Sequence, residues 1–108
     1  MSYRITLTSN FKKEAKRLSK KYPSLKTELI VLGKELAENP TLGIALGNSV
    51  FKIRLAIASK GRGKSGGARV ITYAEVDNQT VLLLSIYNKG EKETITDSEI
   101  QALLHTYT

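Results

Sequence analysis

The sequence predicts an α+β domain: an αα-hairpin packed on a mostly antiparallel four-stranded sheet, with a C-terminal helix, in the order βααβββα. Three observations carry this. Two apolar stripes of helical period stand back to back, separated only by a turn at Pro23-Ser24. Three strand-like runs then follow between Ser49 and Asn88. A short alternating run precedes the helices, and a capped amphipathic segment follows the strands.

Taken in order, Tyr3-Arg4-Ile5-Thr6-Leu7-Thr8 alternates with period two and predicts the first strand. Ser9 or Asn10 is the expected cap of the helix after it. Phe11, Ala15, Leu18 and Tyr22 recur at helical spacing, while Lys12, Lys13, Lys16, Arg17, Lys20 and Lys21 occupy the other faces. The apolar face is narrow and lacks Trp, which favours docking on a sheet over a membrane surface. Pro23 ends this helix and Ser24 is placed to cap the next. Leu25, Leu29, Leu32 and Leu36 form the second stripe, and Asn39-Pro40 stops it. So short a turn makes the pair an antiparallel hairpin. Gly43, Gly47 and Asn48 mark residues 41–48 as a loop.

The next run places Phe51, Ile53, Leu55 and Ile57 on one face and Lys52, Arg54, Ala56 and Ala58 on the other, as a half-buried antiparallel strand requires. The following strand, Ala68 to Val76, puts Val70, Thr72, Ala74 and Val76 on one face and Arg69, Ile71, Tyr73 and Glu75 on the other. In the last, Thr80 to Tyr87, the unbroken apolar run Val81 to Leu84 suits a central strand covered on both sides. Tyr87 and the adjoining Asn88 must face oppositely. Thr96-Asp97-Ser98-Glu99 is a capping box, and Ile100, Leu103 and Leu104 give the last helix an apolar face.

A chain of 108 residues is expected to be one domain, spanning 1–108. Apolar and charged contents of 41% and 25% are ordinary for a folded protein, which argues against disorder. The absence of cysteine excludes a disulfide scaffold, a cysteine nucleophile and a thiolate metal site, and with one histidine no transition-metal site or other cofactor is expected. No apolar run approaches the length of a signal peptide core or a membrane helix, so a cytoplasmic protein is expected. The net charge of +7 is unevenly spread: residues 1–69 carry 15 of the 17 Lys and Arg and four acids, and residues 70–108 carry two bases and six acids. A basic face for a polyanion, nucleic acid or ribosome, with a separate acidic region, follows from that split.

Two literal nucleotide-binding patterns fail on context. Gly61-x-Gly63-x-x-Gly66 matches the dinucleotide fingerprint, yet a strand follows it where a helix N-terminus must receive the pyrophosphate. Gly63-Lys64-Ser65 resembles the end of a P-loop, but the glycine required at position 58 is Ala58. The segment instead predicts a cationic β–β loop in which Lys60, Arg62 and Lys64 sit among glycines that let backbone approach a phosphate chain. Lys52, Arg54 and Arg69 are expected on one sheet face. Three such cations repel one another and gain little for stability, but suit a phosphate laid across them and the added charge of a phosphoryl-transfer transition state. Ordinary solvent-facing cations explain the same spacing. His105 stands near the C-terminus without a nucleophilic serine in context, so a Ser–His hydrolase has no support. The acids are scattered and form no metal or glycosidase pair.

Phe51-Lys52-Ile53-Arg54-Leu55, then Lys60 to Ile71 through the glycine loop, then Leu84-Ser85-Ile86-Tyr87-Asn88-Lys89-Gly90-Glu91, together resemble the RelE/ParE superfamily of bacterial type II toxin–antitoxin toxins, especially its RelE- and HigB-like branch. The resemblance spans essentially the whole chain. It implies a ribosome-dependent mRNA endoribonuclease (an mRNA interferase) that inhibits translation, cutting by attack of a 2′-hydroxyl on the adjacent phosphate. It implies three partners, a cognate antitoxin protein, the ribosome and mRNA, and no cofactor. On the same basis Lys52 and Arg54 match a basic pair of candidate base and charge stabiliser, and Arg69 matches the arginine that holds the scissile phosphate. Lys89 sits where members carry a further cation, and Tyr87 and Asn88 are candidates for base stacking or positioning. The chain departs from the members that carry a tyrosine or histidine just after the last strand, because Glu93-Thr94-Ile95-Thr96 holds neither. Tyr87 or Lys92 is then the substitute general acid. Three other readings stay open: a DNA-gyrase poison of the ParE kind, a non-catalytic RNA-binding domain, and a degenerate toxin that has lost its acid and survives as a binding protein.

Overall fold

The computed structural model describes residues 2–60, 66–91 and 94–107. Along the chain it forms β1 (Arg4–Leu7), α1 (Ser9–Lys21), α2 (Leu25–Glu38), β2 (Ile44–Gly47), β3 (Val50–Leu55), a 3-10 turn (Ala58–Lys60), β4 (Ala68–Glu75), β5 (Thr80–Asn88) and α3 (Asp97–Tyr107). The sheet runs β1-β5-β4-β3-β2. Only β1 with β5 is parallel; the remaining neighbours are antiparallel.

The α+β architecture is the one expected, with one correction. The sheet has five strands, because Ile44–Gly47, expected to be loop, pairs antiparallel with β3. The turn residues read as loop markers instead make a two-residue hairpin. Asn48 and Ser49 both take positive φ, 53° and 64°, between the partners Gly47 and Val50. Two such residues match the twist of the flanking strands, so the strands continue on either side.

Local chemistry also shifts the first helix start. Thr8 caps α1, its side chain accepting from the Phe11 N–H at 3.2 Å, in place of Ser9 or Asn10. Ser24 precedes α2 but makes no side-chain cap there; its hydroxyl bonds Glu28 and Ser59 and ties the inter-helix turn to the turn after β3. The capping box of α3 forms as expected: the Glu99 N–H donates to Thr96 Oγ1 at 3.2 Å, and the Thr96 N–H donates to Glu99 Oε1 at 3.1 Å.

Two apolar clusters separate the layers. Phe11, Leu18, Leu25, Leu32 and Leu36 of the hairpin meet Ile53, Val70, Val81, Leu83 and Ile86 of the sheet. On the opposite face Val50, Ile71, Leu82, Leu84 and Tyr87 meet Ile95 and Ile100, with Leu103 and Leu104 packed against them. All nine residues of β5 are buried, so it is the central strand that its apolar run predicts.

Where β4 begins, a Cβ on Gly67 would run into the carbonyl oxygen of Leu55. Gly67→Ala therefore costs ~1–3 kcal/mol by overpacking against backbone. Gly33 lies inside α2, and a Cβ there meets nothing within 4 Å. Gly33→Ala gains up to about 1 kcal/mol from helix propensity. Urea midpoints of the two variants, moving in opposite directions, check both statements.

Candidate functional site

Register brings the cationic residues together. Arg54 lies opposite Arg69 on β4, and Arg69 lies opposite Tyr87 on β5. Directly opposed residues share a face, with Cα atoms about 4.5–5.5 Å apart. Tyr87 belongs to the α3-side cluster, so this row of three crosses the sheet on that face. Lys52 stands opposite Ile71, a member of the same cluster, and therefore lies two residues from Arg54 on the same face.

The members of the row differ in access. Arg54 is exposed and Lys52 half-buried. Arg69 is only 4% exposed, and one of its guanidinium nitrogens donates to the carbonyl of Ala68 at 3.1 Å. Tyr87 is likewise 4% exposed, within the cluster that α3 packs on. Opposed like charges such as Arg54 and Arg69 destabilise a sheet by roughly 0.2–1 kcal/mol, so the pair is not there to hold β3 to β4. A dianionic or developing negative charge laid over the row offsets that repulsion.

Asn88 is not part of this row. It follows Tyr87 on the opposite face, is buried, and donates from Nδ2 to the Tyr22 hydroxyl at 3.0 Å. Its Oδ1 accepts from the Gly90 N–H at 3.1 Å and so shapes the turn after β5. The alternation that separates Tyr87 from Asn88 was legible in the sequence; the tyrosine waiting just past the end of α1 was not, since nothing local links residues 22 and 88. Lys89 is exposed, and its N–H donates to the Gly67 carbonyl, closing the ends of β4 and β5. Lys60 ends the 3-10 turn, and Arg62 and Lys64 lie outside the described residues. His105 is exposed on α3.

A family model described as the RelE toxin of the RelE / RelB toxin–antitoxin system matches residues 3–107. The chain belongs to the RelE toxin family. RelE structures share the fold at low identity. A mutant of E. coli toxin RelE in the free state aligns with a TM-score of 0.63 at 19% identity, covering 86% of this chain and 90% of that one. A chain of the RelBE2 toxin–antitoxin complex from Mycobacterium tuberculosis aligns at 0.62 and 17%, covering 82% and 99%. The intact E. coli RelBE toxin–antitoxin complex aligns at 0.56 and 21%, covering 81% and 96%. Among the described residues, no helix of this RelE-family chain is long and apolar enough to cross a membrane.

The placement of Asn88 makes it a stability residue. Asn88→Ala lowers the free energy of unfolding by about 1–3 kcal/mol, the cost of disturbing a buried polar contact. A double-mutant cycle with Tyr22→Phe, read by chemical denaturation, gives a coupling of at least about 0.5 kcal/mol.

Proposed function

We propose that this RelE-family toxin is a ribosome-dependent mRNA endoribonuclease held inactive by a cognate antitoxin. The observation that carries the reading is the row Arg54–Arg69–Tyr87, in register across three adjacent strands, with Lys52 beside it. The reaction this arrangement suits is internal transfer. A 2′-hydroxyl oxygen forms a bond to the neighbouring phosphorus, the bond to the 5′-oxygen breaks, and a 2′,3′-cyclic phosphate remains. Arg54 and Arg69 neutralise the extra charge on the five-coordinate phosphorus. Lys52 is the group placed to receive the 2′-hydroxyl proton, and Tyr87 to position the substrate or supply a proton to the departing oxygen.

Arg69 and Tyr87 are shielded in the free chain, so substrate engagement on this reading requires α3 to give way over that face. The same shielding favours, as second reading, a non-catalytic RNA-binding domain that uses only the outer cations. In both, the glycine-loop residues Lys60, Arg62 and Lys64, the exposed Lys89 and the basic face of α1 contact phosphates without reading sequence. Action on the ribosome would place the protein in the cytoplasm.

The antitoxin has a natural seat elsewhere. A groove of about 880 Å³ between α1, α2 and β1 has exposed Leu7 and Ile30 in its apolar lining, with Lys12, Lys16, Lys20 and Lys26 also bordering it. Apolar surface flanked by one sign of charge fits an amphipathic segment with acidic edges. Because the same lysines face RNA, an antitoxin seated there competes with the ribosome by charge as well as by bulk.

Controlled expression followed by mapping of mRNA 5′ ends tests the activity. Cuts within translated codons are expected, and Arg69→Ala, with its fold verified by circular dichroism, reduces them by about 100-fold or more. Growth arrest with intact mRNA and damaged DNA would replace this reading with a gyrase poison. For the groove, Lys16→Glu combined with Lys20→Glu weakens antitoxin binding in calorimetry and flattens its salt dependence.

A further inference from the structure

β1 covers the outer edge of β5 only as far as Leu7 opposite Leu83. The Thr8 N–H adds one last backbone bond, to the Leu83 carbonyl at 3.2 Å, and from there the side chains of Thr8 and of the beginning of α1 line the strand in place of a ladder. Thr8 Oγ1 donates to the Leu83 carbonyl at 2.9 Å, and Asn10 Nδ2 donates to the Leu84 carbonyl at 3.0 Å. Glu14 Oε1 accepts three hydrogen bonds: from Ser85 Oγ at 2.8 Å, from the Ile86 N–H at 3.2 Å and from Asn10 Nδ2 at 2.9 Å. Glu14 is the single acid among six cations in α1, and it is turned toward the sheet.

The same stretch holds the irregularity of the β4–β5 ladder. Ile71 is opposite Ser85 but Thr72 is opposite Leu83, so Leu84 is an extra residue on β5. Leu82 and Leu84 point into the α3-side cluster. Unbroken alternation from there would send Ile86 to the same side and Tyr87 to the helical hairpin. Instead Ile86 packs in the hairpin cluster and Tyr87 returns to the α3 side, opposite Arg69. The bulge therefore decides which face Tyr87 occupies, and Glu14 holds the two donors, Ser85 Oγ and Ile86 N–H, that follow the extra residue.

We infer that Glu14 is a positioning residue: its carboxylate pins the β5 bulge and so sets Tyr87 beside Arg69. Removing the carboxylate strands the buried Ile86 N–H and lifts the bias against a one-residue slip that would realign Leu84 and turn Tyr87 away. The consequence for cleavage rests on the proposed role of Tyr87; the consequence for strand register does not.

The test compares Glu14→Gln, Glu14→Asp and Glu14→Ala by NMR and by mRNA cleavage. The Gln amide oxygen still accepts from Ser85 and Ile86, so E14Q keeps the Arg69–Tyr87 cross-strand NOEs and its cleavage. Asp retains charge but falls a methylene short, so E14D, like E14A, loses those NOEs while staying folded. Cleavage by either, at matched folded protein, drops about tenfold or more, as expected for a displaced site group. Wild-type NOEs in E14D or E14A overturn the inference; should E14A not fold, E14D alone decides. Lost NOEs with unchanged cleavage uphold the clamp and remove Tyr87 from the site.

Discussion

The nine residues of β5 are buried from end to end, and nearly every other element is positioned by the need to cover them. One face requires the helical hairpin and the other requires α3, because a strand apolar on both faces cannot face water. Its edges carry equal demands. β4 satisfies one along the full length, and the other is shared between β1 and the side chains at the start of α1. A backbone group left bare on so enclosed a strand would cost about 1–3 kcal/mol, which explains why polar residues of a helix are spent on strand carbonyls and amides.

That division of the edge links packing to the site. Thr8 serves twice, capping α1 through its acceptance from Phe11 and donating to β5 through its hydroxyl. The first turns of the basic helix are thus fastened to the strand that carries Tyr87. The far side of α1 is tied down as well, where Arg17 and Glu91 pair at 3.1 Å across the turn after β5. Both partners of that pair are substantially exposed, so it contributes at most about 1 kcal/mol and acts mainly as a guide for the turn.

Much of this was legible in the sequence because it depends on periodicity. The stripes Phe11-Leu18 and Leu25-Leu32-Leu36, the alternation around Lys52 and Arg54, and the Thr96–Glu99 box each state their environment locally. The features that were not legible depend on distant partners or on backbone conformation. β2 was hidden because Gly43, Gly47 and Asn48 mark both loops and tight hairpins, and only pairing with β3 distinguishes them. The burial of Arg69 was hidden because alternation assigns a face and says nothing of what covers it. The β5 bulge was hidden inside the run Val81 to Leu84, where every residue is apolar and no pattern reveals an extra one. Glu14 looked like one acid in a cationic helix; its partners lie more than seventy positions away.

The parallel pairing of β1 with β5 has a consequence for how the molecule comes into being. Arg4 to Leu7 find their strand neighbours at Thr80 to Leu83. A nascent chain that has not yet extruded β5 possesses the helical hairpin but only part of the floor it packs on, and its long-range pairings are the slow ones to form. The arginine row is likewise incomplete until Tyr87 has left the exit tunnel. The order of synthesis itself thus delays assembly of the candidate site until the strand that holds the sheet together is available.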